Sequence, residues 1–225
     1  MGKKALLLGA TGLVGGHVLE RLLADEGWSS VRVLARAKAP LVHPKLTWKT
    51  VDFDDPSALE QPGVVDDVFC CLGTTIKKAG SQEAFRRVDL EIPLALARAV
   101  RRDGASRFLL VSAMGADPRS ALFYSRIKGE LEQALDALGF PSLVIFRPSL
   151  LLGKRSEPRL AEAVAGALSR PLGALLLGPL KTYRPIEASD VARAMVAVAR
   201  SSATGPLALD SRRIHEIARQ GWKNR

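Results

Sequence analysis

The sequence predicts a doubly wound α/β fold with a mainly parallel sheet, and three observations carry that prediction. Short apolar runs alternate with helical patterns over the first two thirds of the chain. The three clearest helical patterns close on glycine, at Gly27, Gly104 and Gly139. The first apolar run passes through a glycine-spaced turn directly into the first helical pattern.

Taken in order, the strand-like runs are KALLLG, VRVLAR, LTWKTVDF, VDDVFCCLG, SRFLLVSA and SLVIFRPS, which makes six strands. Helical periodicity is clearest in LVGGHVLERLLADEG, RRVDLEIPLALARAVRRDG and SRIKGELEQALDALG. After Ser149 the pattern loosens into a loop, a helix, a segment interrupted by proline and glycine, and a helix opened by Ser189 or Asp190. The chain reads as one domain over residues 1–225, with a core at 1–149 and a dependent segment at 150–225 that forms a small cap on the substrate side of the sheet.

A chain of 225 residues that is 47% hydrophobic can bury a sizeable core. It contains no run of roughly 18 uncharged apolar residues, and its first residues, MGKKALLLGATG, pass from two lysines into a strand. A soluble, cytoplasmic protein with no membrane attachment is therefore expected. Cys70 and Cys71 are adjacent within a strand and point to opposite faces, so they read as packing residues, and no metal site is expected. The formal charge of +10 is spread over scattered basic pairs and only 5% of the chain is aromatic, so nucleic acid is not the expected partner. A polyanionic small molecule suits that charge.

The turn LLLGATGLVGGHVLE has the context that a dinucleotide fingerprint requires. Gly9 permits the tight turn, Gly12 the close approach of a pyrophosphate, and Gly15 the packing of helix on strand. The second strand ends not in an acidic residue but in Arg36, 21 residues beyond Gly15. An arginine there pairs with a 2′-phosphate, so NADP(H) is the expected cofactor. At the next strand end Asp52 is placed to accept from an adenine amino group, with Phe53 beside the ring. Leu72, Gly73 and Thr74 close the fourth strand against the adenine-side ribose.

The fifth strand ends at Ser112, and the following helix carries Tyr124 and, one turn later, Lys128. Residues at i and i+4 share a helical face, here the one turned toward the crevice. A neighbouring ammonium favours the phenolate form of a tyrosine. Tyr124 can then exchange a proton with a carbonyl oxygen, Ser112 hold that oxygen, and Lys128 grip the nicotinamide ribose.

With these motifs the chain resembles an atypical short-chain dehydrogenase/reductase of the NAD(P)-binding Rossmann superfamily. VFCCLGTTIKKAGSQEAFRRVD, YSRIKGELE and VIFRPSLLLGKRSEPR are similar to the Tat-interacting-protein-like oxidoreductase group. The resemblance runs from residue 4 to about 200, and CCLGTT is its most specific part. It implies cofactor contacts from Thr11, Gly12, Leu13, Val14, Arg36, Leu72, Gly73, Tyr124 and Lys128. It also implies that Pro148, Ser149, Leu150 and Leu151 lie beside the nicotinamide and that Arg159 reaches a phosphate, while Arg184, Pro185 and Asp190 are structural. Orthodox members add an asparagine to the serine, tyrosine and lysine; the only asparagine here is Asn224, and Asp89 falls near that position.

The expected activity is an NADPH-dependent oxidoreductase acting on a small carbonyl or alcohol. Two alternatives stand beside it. A non-catalytic NADP(H)-binding redox sensor would act through a protein partner but has no need of Ser112, Tyr124 and Lys128. A nucleotide-sugar epimerase would need a larger region after Ser149 and usually takes NAD.

Overall fold

The computed structural model describes residues 2–153 and 184–223. Seven strands form one parallel sheet: β1 (Lys3–Leu8), β2 (Trp28–Ala35), β3 (Leu46–Thr50), β4 (Asp67–Cys70), β5 (Arg107–Val111), β6 (Ser142–Arg147) and β9 (Gly205–Asp210). Their order is β3-β2-β1-β4-β5-β6-β9, so the direction of winding reverses between β1 and β4. In such sheets the crevice beyond the carboxyl ends of the two strands at the reversal receives the ligand. A small second sheet pairs β7 (Leu151–Leu152) with β8 (Ile186–Glu187).

The central strands β1, β4, β5 and β6 are largely apolar because both faces are covered. Leu7 joins a core built with α1 (Leu13–Ala24), α6 (Ala188–Ala199) and α7 (Ser211–Gln220), whereas its neighbours Leu6 and Leu8 join the opposite core, with α4 (Ile92–Arg102) and α5 (Phe123–Asp136). All three leucines are 0% exposed. Phe69 and Cys70 divide between the two cores in the same way. At the amino end of the sheet, buried Asp67 is ion-paired with Lys3 at 3.3 Å and Arg107 at 3.4 Å and accepts from the Trp28 indole.

The sequence shows six strands of the main sheet, and among the described residues that sheet has seven. The seventh, GPLALD, was obscured because it is an edge strand with a half-exposed alternating pattern and a proline at Pro206, which an edge tolerates. The helix read as opening at Ser189 or Asp190 begins at Ala188, with Glu187 at its N-cap; Asp190 instead lies in the first turn, 3.3 Å from Arg193. Gly104 and Gly139 do follow their helices with positive φ, while the first helix already ends at Ala24.

The second predicted helix is one helical run with a wide turn inside it. After α2 (Ile76–Ala79) comes α3 (Gln82–Arg86), then a π-turn at Arg87–Glu91, then α4. The Ile92 amide donates to the Arg87 carbonyl, five residues back. Pro93 supplies the reason: it has no N–H to offer the Asp89 carbonyl, and its ring would collide with that carbonyl in a regular α-turn. Widening the turn relieves the collision and leaves Asp89 buried.

Candidate nucleotide and proton-transfer site

Gly9 follows β1 with φ +85°, and a Cβ there would lie 2.5 Å from the Cys71 carbonyl carbon and oxygen. The turn therefore touches the end of β4, across the reversal point. The Gly12 amide donates to the Gly9 carbonyl at 2.9 Å and Gly12 caps α1 with no side-chain bond. A Cβ on Gly15 would stand 2.0 Å from the Gly9 oxygen, so only glycine lets the helix come this close. Thr11 and Gly12 are exposed, Leu13 half-buried and Val14 buried in the core. No acidic residue occupies the first turn of α1, which leaves an open set of helix N-terminal amides. Such a terminus is suited to a phosphate.

Beyond β2, Arg36 is the first residue after the strand, is exposed, and makes no ion pair or hydrogen bond among the described residues. Asp52 is exposed and one of its oxygens accepts from the Asp54 amide at 2.9 Å. Phe53 packs on the second core, and its carbonyl accepts from Arg87 at 3.1 Å. Both belong to the loop after β3.

The loop after β4 meets α5 through Asp89. Asp89 Oδ2 accepts from the Thr74 amide at 2.8 Å, and Oδ1 lies 2.7 Å from Lys128 Nζ. Gly73 sits over the pair: a Cβ there would be 3.4 Å from Asp89 Oδ1 and 3.6 Å from Lys128 Nζ. Leu72 is half-buried beside it. Lys128 is only 4% exposed, and burial works against its charge. Asp89 first, then Tyr124, counter that penalty, and the ammonium is held above its ordinary range. Tyr124 is 39% exposed, its ring lies 5.7 Å from that of Phe85, and its hydroxyl has no partner among the described residues.

Ser112, just after β5, is buried, and its hydroxyl donates to Glu132 Oε1. Glu132 in turn is bracketed by the Arg147 guanidinium, whose Nε lies 3.2 and 3.1 Å from its two oxygens while Nη2 also contacts Oε2. A hydroxyl has one proton, so to donate to a substrate oxygen Ser112 must turn away from Glu132. Glu132 keeps both arginine contacts when it does. Glu132 and Arg147 were not singled out in the sequence, although Tyr124, Lys128 and Glu132 follow one another at four-residue steps on one helix face.

Beyond β6, the Pro148 carbonyl accepts from the Met114 amide at 3.0 Å, the Ser149 amide donates to Ser211 Oγ at 2.6 Å, and Ser149 Oγ donates to the Arg184 carbonyl. Leu150 is exposed and Leu151 packs on the first core. Gly153 closes on the glycine turn: a Cβ there would be 2.8 Å from Leu13 Cδ1. Arg159 lies outside the described residues. Burial pushes the Cys70 thiol up to about 11, and raises Cys71 well above the ordinary thiol range.

Residues 9–167, more than half of the sequence, match the NAD(P)H-binding family. The chain belongs to that family. This NAD(P)H-binding family member is 35% identical over 208 residues to the protein FMP52, mitochondrial, of Candida albicans, covering 89% of this chain and 90% of that one. It is also 35% identical over 167 residues to the protein HTATIP2 of Rattus norvegicus, covering 72% and 69%. Among solved structures, the Bordetella bronchiseptica enzyme WbmF in complex with NAD+ and UDP superposes with a TM-score of 0.69 at 18% identity, covering 99% of this chain and 79% of that one. A Thermotoga maritima UDP-glucose 4-epimerase gives 0.67 at 14%, covering 96% and 82%. These structures show the fold.

The atypical short-chain dehydrogenase/reductase resemblance therefore holds, and the cofactor class is NAD(P)(H). The expected cytoplasmic location does not hold, because FMP52 relatives from several fungi, Emericella nidulans among them, are named as mitochondrial proteins. Among the described residues no helix is long and apolar enough to cross a membrane, and no group of three or more His, Cys, Asp or Glu could hold a metal ion.

Proposed function

We propose that this chain is an NADPH-dependent oxidoreductase that transfers hydride between the nicotinamide and a small carbonyl or alcohol, with Tyr124 as the general acid and base. The observation that carries this reading is a phenol open to solvent one helical turn from a buried ammonium, on the crevice side of a nucleotide-binding sheet. When bound, the dinucleotide supplies the hydride. Tyr124 delivers its proton to the substrate oxygen and, being exposed, regains one from water; in the oxidative direction it takes the proton. Ser112 orients that oxygen once its hydroxyl swings from Glu132, Lys128 grips the nicotinamide ribose, and residues 148–151 border the nicotinamide. Thr11, Gly12, Leu13 and Val14 receive the pyrophosphate, with Leu72, Gly73 and Thr74 against the adenine-side ribose. The primary test is oxidation of NADPH in the presence of aldehydes, ketones and quinones. Tight NADPH binding with no turnover on any of them would favour the redox-sensor reading instead.

The choice of NADPH over NADH is assigned to Arg36, an exposed arginine at the end of β2 without a protein partner among the described residues. A charge-assisted pair with a 2′-phosphate is stronger than a neutral hydrogen bond. In fluorescence titrations Arg36→Ala should weaken NADPH about tenfold, in line with the loss of roughly 1.5 kcal/mol from such a bond, and leave NADH nearly unchanged. Equal losses for the two dinucleotides would remove Arg36 as the phosphate reader.

A further inference from the structure

Lys128 is a buried cation whose close carboxylate comes from a different helical run. Three titratable groups face it: Asp89 from the π-turn, Tyr124 from its own helix and the Cys70 thiol from β4. Of these only Asp89 makes an ion pair with it, at 2.7 Å, and the side chain of Asp89 is itself 0% exposed. The same carboxylate is tied to the backbone of the cofactor loop through the Thr74 amide. Asp89 reaches that position because Pro93 widens the helix at Arg87–Glu91. A buried ammonium stripped of its counter-ion relieves the cost by giving up its proton.

We propose that Asp89 is a positioning residue that keeps Lys128 protonated and fastens it to the Gly73 and Thr74 loop, so that the grip of Lys128 on the dinucleotide does not change with pH through the neutral and mildly alkaline range. The cofactor contact of Lys128 is taken from the function proposed above. The electrostatics support the same division of labour. Desolvation is the largest influence on Lys128 and acts against its charge; Asp89 is the foremost of the groups that together outweigh it, ahead of Tyr124 and Cys70. The sign follows directly. With Asp89 the ammonium persists up to the usual lysine range and above, whereas with asparagine the foremost influence opposing desolvation is gone and the proton leaves at a lower pH.

The experiment compares the full chain with its Asp89→Asn variant from pH 7 to 9.5. NADPH titrations should give a dissociation constant constant within about twofold for the parent and rising about tenfold with pH for the variant, as one charged contact is lost. A uniform weakening of the variant, flat in pH, would mean that Asp89 is merely structural and would overturn the proposal. Carbon-13 NMR of the Lys128 Cε, identified by its absence in Lys128→Met, reads the ammonium directly and needs no cofactor. A Lys128 signal in Asp89→Asn that titrates within that interval supports the proposal even if the parent binds no NADPH, a result that would sink only the proposed function. A signal still charged at pH 9.5 overturns it. Where Asp89→Asn does not fold, the double variant Asp89→Asn/Lys128→Met should fold again, because it no longer strands a buried charge; a double variant no more stable than the single one overturns the proposal.

Discussion

Replacing Tyr124 with phenylalanine should lower NADPH-dependent reduction of a carbonyl substrate by about 10²- to 10⁴-fold, the range that a positioned general acid contributes. The fold should be nearly indifferent to the change. The Tyr124 hydroxyl has no hydrogen-bond partner among the described residues, so its removal strands no buried donor or acceptor. The ring contact with Phe85, at 5.7 Å between centroids, is retained. Stability should accordingly move by no more than about 0.5 kcal/mol, and NADPH affinity by only a few-fold. This separation makes the variant informative: turnover is lost without loss of binding or folding. Lys128→Met lacks that clarity, because it leaves Asp89 buried without its cation. Undiminished turnover in Tyr124→Phe would assign the proton to another group and remove the catalytic reading.

Most of the fold could be read from the chain because local rules agree there with the global arrangement. Apolar runs such as KALLLG are covered on both faces, and Gly9, Gly12 and Gly15 stand where the turn needs them. The missed strand at Gly205–Asp210 lies at a sheet edge, where half-exposure and Pro206 erase the apolar signal. The glycine turn was legible because Gly12 and Gly15 are demanded by backbone a few residues away, although Gly9 answers to Cys71 across the sheet. The charge network was not. Whether Ser112 faces a substrate or Glu132 depends on β5, α5 and β6 meeting, and no sequence window contains all three.

Asp89 illustrates the boundary most clearly. Its place near the missing asparagine was visible from spacing and resemblance, but its pairing with Lys128 depends on a turn widened by a proline four residues later. From the four-residue spacing alone, Tyr124 faces a bare ammonium. In the structure that ammonium stands with a carboxylate, so Tyr124 faces an ion pair rather than a lone charge.

Two adjacent glycines should respond to the same substitution in opposite directions. Gly15→Ala places a methyl group 2.0 Å from the Gly9 carbonyl oxygen and 2.7 Å from its carbon, and both are backbone atoms of the turn that must stay tight. Helix α1 would have to lift off β1, at a cost of about 3 kcal/mol, the upper part of the usual overpacking range. The melting temperature should drop by about 5–10 °C. NADPH affinity should fall at least about 100-fold, because the displaced helix carries the amides offered to the pyrophosphate. Gly16→Ala meets only the Ala10 carbonyl oxygen at 3.7 Å, an ordinary contact, within a regular helix. There alanine should stabilise by about 0.5–1 kcal/mol, since it costs less chain entropy on folding than glycine, and binding should be unchanged. Thermal melts and NADPH titrations of the two variants side by side decide the matter. The close approach of helix to turn is the physical basis of the proposed nucleotide site; if Gly15→Ala melts and binds like Gly16→Ala, that approach does not exist in solution.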